Sequence, residues 1–448
     1  MSTSAATVDF SVANGRLRRR LHSSGFMPNI SMQNINDFRE PFSEMHFLEA
    51  RTHDQALVNP GQRVVDTHFI FPNMKDDPAD PESYYFAATD HLLETCLGCG
   101  TKIMYRLGTS IEHTRDRHFN ALMPDDFEKY AEVLAGIVRH YNDGWANGFH
   151  WGIEYWEIWN EADLGPQMWD GSLEDYHRFY GIVARRLKSE FPDIKVGGPA
   201  FCGLKSDLFS DWLTYCRAND APVDFISWHC YTADVDKLVA QPQRARELFD
   251  SLGYKNAEIM INEWHYILSW EGVHHNFTPE GYERAMSGPT GMFGIDSAAF
   301  NVSVVARWHD TPLDAAYYYG CGEETWGFVT CYKALNKNYH SMYLLGQMMT
   351  GFPNRVEAAV SGETLSVLAG GDDDGNRAIL LADYRGDDLE IPVTVAGAGT
   401  IRGIEVSLLD QQSNLKRVEP ARDGDRLILR KDASGSAVFY VTFHSAGV

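Results

Sequence analysis

The chain has 448 residues, 44% of them hydrophobic and 23% charged, and a formal net charge of −23. That length is too great for one ordinary domain but has room for a barrel and a smaller unit, and the composition is that of a globular protein with a real core. The charge argues against a nucleic-acid phosphate backbone or an anionic membrane surface as partner, since both call for clustered Lys and Arg. A neutral substrate, or one held by a few local cations, fits.

Residues 1–6 contain no charged stretch followed by an apolar one, and no run approaches the ~18 apolar residues of a membrane span. A cytoplasmic protein is therefore expected, provided this is the native start. Residues 7–12 alternate like a strand, and a basic segment follows from Arg16 to Arg20. From about residue 26 to 346 short apolar runs alternate with helical patterns. Strands are expected at 45–51, Lys102–Leu107, 155–159, 195–197, 225–229, 258–261 and 315–319. Helices are expected at 90–97, 126–141, Leu173–Glu190, 208–218, 239–252 and 297–309. The helix at 126–141 carries Phe127, Tyr130, Val133, Leu134, Ile137 and Val138 on one face, with Asp125 or Asp126 as N-cap and Asn142-Asp143-Gly144 as its stop. Ser172 caps the next helix.

Alternation sustained over ~300 residues indicates a parallel α/β fold. No GxGxxG turn follows the first strand, and polar residues close several different strands. Both points favour a (β/α)8 TIM barrel over a doubly wound sheet, because a barrel assembles its site from many strand ends. After about residue 351 only strands remain, separated by Gly/Asp turns such as Gly370-Gly371-Asp372, which reads as a β-sandwich. The expected units are therefore 1–25, a strand joining the sandwich; 26–348, the barrel; and 349–448, the β-sandwich. Seven cysteines are present: Cys96, Cys99, Cys202, Cys216, Cys230, Cys321 and Cys331. Cys96-Leu97-Gly98-Cys99 has redox spacing but closes an amphipathic helix, with no second pair nearby, so buried thiols are expected.

Two runs carry the chemistry. Tyr155-Trp156-Glu157-Ile158-Trp159-Asn160-Glu161 and Ile259-Met260-Ile261-Asn262-Glu263-Trp264 each end an apolar, aromatic strand in a carboxylate preceded by Asn. A lone strand-end Glu is most often a surface ion-pair partner. Two in this setting supply what a retaining glycosidase needs, a proton donor and a nucleophile ~5–5.5 Å apart. Metal chemistry has no such support, because the 17 histidines show no ligand spacing such as HExxH. No cofactor or metal is expected.

Glu157-Ile158-Trp159-Asn160-Glu161, Ser227-Trp228-His229-Cys230-Tyr231 and Asn262-Glu263-Trp264 resemble the signatures of the retaining (β/α)8 glycosidases, and within them glycoside hydrolase family 39. The resemblance covers most of the chain, including a β-domain after the barrel. It implies Glu161 as acid/base, Glu263 as nucleophile at the end of strand seven, and Asn160 on the sugar 2-hydroxyl. His229 and Tyr231 would border the nucleophile, with Tyr231 keeping it ionised, and Arg51 would stabilise it electrostatically. His53 and Asp54 would bind sugar hydroxyls, Glu324 likewise, and Trp326 would lie beneath the sugar. The implied activity is removal of a terminal sugar by double displacement. β-Xylosidase is the leading expectation, with arabinosides, galactosides or a microbial exopolysaccharide as alternatives, and a non-catalytic carbohydrate-binding protein as the competing class. The expected partner is an oligosaccharide or glycoside, and a homo-oligomer is compatible. The chain departs from the family in having Asn262 where Thr is usual, and in a long loop, residues 66–83, placed to reshape the substrate entrance.

Overall fold

The computed structural model describes all residues except 1–3, 29–36, 54, 57–62, 110–120, 274–277, 321–325, 331–333, 425 and 447–448. Eight parallel strands close a barrel: β1 (Ser23–Ser24), β2 (Glu49–Arg51), β3 (Lys102–Leu107), β4 (Tyr155–Ile158), β5 (Lys195–Phe201), β6 (Phe225–Tyr231), β7 (Glu258–His265) and β8 (Ala315–Tyr318). The expected barrel is thus observed, and β8 returns to β1 through Tyr317↔Ser23 and Tyr318↔Ser24. Ser23 and Ser24 lie ahead of residue 26, where the barrel was expected to begin; two serines offer no hydrophobic alternation to read. Strands β5, β6 and β7 run four, two and four residues past their expected ends: β5 continues through Gly198-Pro199, which read as a strand stop, and β6 and β7 through polar residues that stay in the ladder after the apolar run has stopped.

Local signals explain the helices. Phe127–Asp143 begins where the Asp126 carboxylate accepts from the Lys129 N–H and ends at Gly144, whose φ of 75° is the left-handed cap that glycine adopts without strain. Leu173–Glu190 starts with a reciprocal capping box between Ser172 and Asp175. Helix Lys337–Gly351 follows β8 and was not anticipated; Asn336 caps it, accepting from the Asn338 and Tyr339 N–H groups. Among the described residues no helix is long and apolar enough to cross a membrane.

Trp156, Trp212, Trp228, Trp264 and Trp308 are buried in the layer between strands and helices. Inside the barrel, Met104, Tyr155, Phe225, Met260, Ala315 and Tyr317 form a separate plug. Beneath it, at the strand N-termini, Arg20 lies 3.2 Å from Glu49 and 2.6 Å from Glu258, and Lys195 lies 2.5 Å from Glu258. The N-terminal end is therefore closed by packing and ion pairs, which leaves the opposite end for a site.

The C-terminal unit is one ten-stranded sheet. The N-terminal strand Ala5–Arg16 joins it between Asn354–Ser361, antiparallel, and Glu390–Ala396, parallel. Strands across the sheet share one core, from Val8 and Val393 to Leu408, Leu429 and Phe439, so the sheet curls over itself as a sandwich does. Helix Ile295–Trp308 is buried everywhere except Arg307, because it lies between barrel and β-domain. Asp296 on this helix accepts from Arg385 Nε (2.7 Å) and Ser436 Oγ (2.7 Å) of the β-domain. Cys96, Cys99, Cys202, Cys216 and Cys230 are unbridged thiols; Cys321 and Cys331 lie outside the described residues.

Candidate active site

At the C-terminal mouth the chain leaves β4 through a turn in which Trp159 (φ 73°) and Glu161 (φ 47°) both take left-handed backbone conformations. Such conformations are costly for residues with side chains and persist where packing over-determines them. The Trp159 ring packs edge-on against Trp169 (5.0 Å) and donates Nε1–H to Met168 O (2.8 Å). Gly108 makes room for it: a Cβ there would sit 2.9 Å from the ring. The turn is completed by the Glu161 N–H bonding Ala200 O at 3.0 Å, and it carries Asn160 and Glu161 into the mouth.

Strand β7 solves a different problem. Alternation would send Asn262 and Glu263 to opposite faces, but the ladder to β6 shifts register between Ile261 and Glu263. This bulge lets both side chains serve the barrel interior. Asn262 Nδ2 donates to Glu157 Oε1 (2.6 Å), and Glu263 reaches the mouth. On β6, Ser227, His229 and Tyr231 point inward at spacing two. Ser227 Oγ donates to Glu157 Oε1 (2.6 Å), His229 Nδ1 lies 2.6 Å from Glu161 Oε1, and Tyr231 OH donates to Glu263 Oε2 (2.6 Å).

Arg51, at the end of β2, ties these strands together. Its fully buried guanidinium donates from Nε to Glu157 Oε2 (2.6 Å), from Nη1 to Glu263 Oε1 (2.8 Å) and from Nη2 to Asn160 Oδ1 (2.6 Å). Only a planar fork with several fixed donors serves three acceptors in this way. Burial works against its charge, yet Glu157 and Glu263 together hold its pKa above the ordinary arginine value.

Glu161, His229 and Glu263 offer donor atoms that all lie within 4.8 Å of one another. Glu161 is 8% exposed and Glu263 3%. Burial, reinforced by the Asp163 charge, pushes the Glu161 carboxyl up to about 8, with Arg51, Lys205 and Arg106 opposing. Burial also raises Glu263, against the Arg51 charge, the Tyr231 hydrogen bond and, when it is protonated, His229. Burial pushes His229 down to about 4, so the imidazole is neutral at pH 7. The two carboxyls therefore differ in kind: Glu161 keeps its proton at neutral pH, whereas Glu263 has a donor on each oxygen. Among the described residues this trio is also the group of carboxylates and imidazole close enough to share a cation, but Arg51 already sets a positive charge against Glu263.

Arg51, Asn160, Glu161, His229, Tyr231 and Glu263 thus converge. His229 borders both carboxyls and lies nearer Glu161 (2.6 Å) than Glu263 (3.2 Å). His53 Nε2 lies 3.6 Å from Glu263 Oε1, its ring between Phe26 (4.8 Å) and Tyr319 (5.3 Å). Trp326 forms part of an aromatic wall with Tyr231 (5.4 Å), Tyr319 (5.4 Å) and His265 (5.3 Å). Asp54 and Glu324 lie outside the described residues. The loop at 66–83 is anchored beside the β3 end, where Thr67 N–H bonds Gly108 O (2.9 Å) and Thr109 Oγ1 donates to Asp66 (2.9 Å). Glu157, Ser227 and Asn262 were given no role in the site by the sequence. Glu157 sits four residues before Glu161 in the same run, and a charged residue inside an apolar strand was the available signal.

Residues 64–247 match the model of the family described as glycosyl hydrolases family 39. Over that segment, less than half of its length, the chain is similar to that family. A β-xylosidase of Geobacillus stearothermophilus is 34% identical over 119 residues, covering 25% of this chain and 22% of that enzyme. The chain thus matches about a fifth of the length of this β-xylosidase. In fold the likeness extends end to end. A glucosidase structure from Croceicoccus marinus superposes with TM-score 0.79 at 20% identity, covering 100% of both chains. A family 39 β-xylosidase structure from Caulobacter crescentus gives TM-score 0.68 at 15% identity, covering 98% of this chain and 99% of that one.

Proposed function

We propose that this protein is a retaining glycosidase that removes a terminal sugar, with β-xylosides as its substrate class. The observation that carries this reading is the pair Glu161 and Glu263, buried side by side with oxygens within 4.8 Å and with unlike surroundings. Inverting enzymes hold their carboxyls ~6.5–9.5 Å apart to admit a water, whereas retaining ones hold them at ~5–5.5 Å. The substrate class rests on the Geobacillus stearothermophilus relative, described as a β-xylosidase.

In this reading Glu263 attacks the anomeric carbon while Glu161 gives its proton to the leaving oxygen, so the glycosidic C–O bond breaks as the Glu263–carbon ester forms. Glu161, now a carboxylate, takes a proton from water as that water attacks the same carbon and frees Glu263. Tyr231 and Arg51 stabilise the Glu263 carboxylate as it leaves. Asn160, oriented by Arg51, faces the sugar 2-hydroxyl, and Trp326 and His53 line the pocket wall. Glu263→Ala tests the assignment: turnover of an aryl β-xyloside is abolished, and azide restores it with an inverted glycosyl azide as product. Unchanged turnover in that variant overturns the reading.

A further inference from the structure

Beside the catalytic mouth lies an open cleft of ≈ 410 Å³ lined by Tyr231, Thr232, Asp234, Ser269, Trp270 and Arg385, among others. Its size falls in the range of small-molecule sites, roughly 300–1,000 Å³. It adjoins the proposed site through Tyr231, which lines it and donates to Glu263 at 2.6 Å. Trp270, 37% exposed, stands at its edge with its ring 5.6 Å from that of Tyr231. An apolar ring face surrounded by hydroxyl, carboxylate and guanidinium groups is the pattern that takes a sugar, which has an apolar C–H face and a rim of hydroxyls.

One wall comes from the β-domain. Arg385 reaches across and bonds Asp296 (2.7 Å) and Tyr266 OH (2.9 Å), with its side chain 40% exposed. Its neighbour Tyr384 donates its hydroxyl to Ala233 O (2.6 Å) on the loop after β6. The turn that presents both residues is pinned from below: Lys431 Nζ, buried, bonds Asp383 (2.5 Å) and Gly386 O (2.8 Å) on either side of them. A β-domain that served only to cover helix Ile295–Trp308 would have no need to brace the loops that follow Tyr231 and Glu263.

We propose that this cleft is a second saccharide subsite, completed by the β-domain, that takes the sugar unit joined to the one being cut, with Trp270 as platform and Arg385 as hydrogen-bond donor. The proposal rests on the glycosidase reading above. Xylosyl fluoride and xylobiose separate the two, because the fluoride fills only the catalytic pocket while the disaccharide needs a second unit held. In Trp270→Ala, kcat/KM for xylobiose falls about tenfold relative to kcat/KM for the fluoride, Trp270→Phe recovers most of that ratio, and Arg385→Gln lowers it in the same direction. An unchanged ratio in Trp270→Ala overturns the subsite and leaves the glycosidase reading standing. Turnover of neither substrate by the unaltered protein overturns the β-xyloside reading and the subsite with it.

Discussion

The Nδ1 atom of His229 lies 2.6 Å from Oε1 of Glu161. The same nitrogen stands 3.2 Å from Glu263 Oε2, so one imidazole spaces the two carboxyls. Burial pushes its pKa down to about 4, so at neutral pH it spaces the carboxyls as an uncharged group. His229→Ala is expected to lower kcat/KM by about 10²-fold, the low end of what a mispositioned general acid costs. The loss should be larger for substrates with poor leaving groups, which depend most on the proton. Equal losses across leaving groups would place the role of His229 elsewhere.

The protonation of Glu161 gives a pH signature. As the acid it must be protonated in the free enzyme, so kcat/KM should fall as pH rises through about 8. Asp163, two residues on, reinforces the rise. Its fully buried side chain accepts from Lys205 Nζ (2.9 Å) and from the Cys202 N–H (3.0 Å). Asp163→Asn removes that negative charge and is expected to move the alkaline limb to lower pH. A limb that stays in place in this variant would show that burial alone raises Glu161.

The same shift affects stability. A carboxyl whose folded pKa is raised favours the folded state fully below its unfolded pKa, about 4.3, and that contribution is lost as pH rises toward the folded value of about 8. Glu161→Gln removes the ionisation. It is expected to match the unaltered protein near pH 4 and to exceed it by on the order of a few kcal/mol at pH 8. Thermal unfolding across that range checks this, and a difference independent of pH would contradict it.

Arg51 is the cation that binds Glu157, Glu263 and Asn160 at once. Arg51→Ala strands buried carboxylates and is expected to cost about 3–5 kcal/mol of stability. Arg51→Lys keeps the charge but not the fork, and should fall between the two. Urea unfolding midpoints give the measurement; changes within about 0.5 kcal/mol would mean that water replaces the guanidinium.

Much of this site was legible in the sequence, for a physical reason. Glu161, Glu263, His229 and Tyr231 end apolar strands, where only a polar mouth tolerates them, and spacing two on β6 put His229 and Tyr231 on one face. Helices Phe127–Asp143 and Leu173–Glu190 announced themselves through their capping residues Asp126 and Ser172. Other parts depend on geometry that no short window records. The β7 bulge turns Asn262 inward against the alternation, and Glu157 acquires its partners Arg51, Ser227 and Asn262 from three other strands. Strand β1 is two serines whose place is set by closure of the barrel. Arg385 lies 122 residues beyond Glu263 in the chain and reaches the rim only because the β-domain folds back on the barrel.

In the proposed mechanism Glu263 forms a covalent bond to the sugar. Incubation with 2,4-dinitrophenyl 2-deoxy-2-fluoro-β-xyloside, which slows breakdown of a glycosyl-enzyme, followed by mass spectrometry of peptides, tests it most directly. Stoichiometric inactivation is expected, with the added fluorosugar on the peptide containing Glu263 and no label in Glu263→Ala. A label on any other residue, or inactivation that persists in Glu263→Ala, would contradict it.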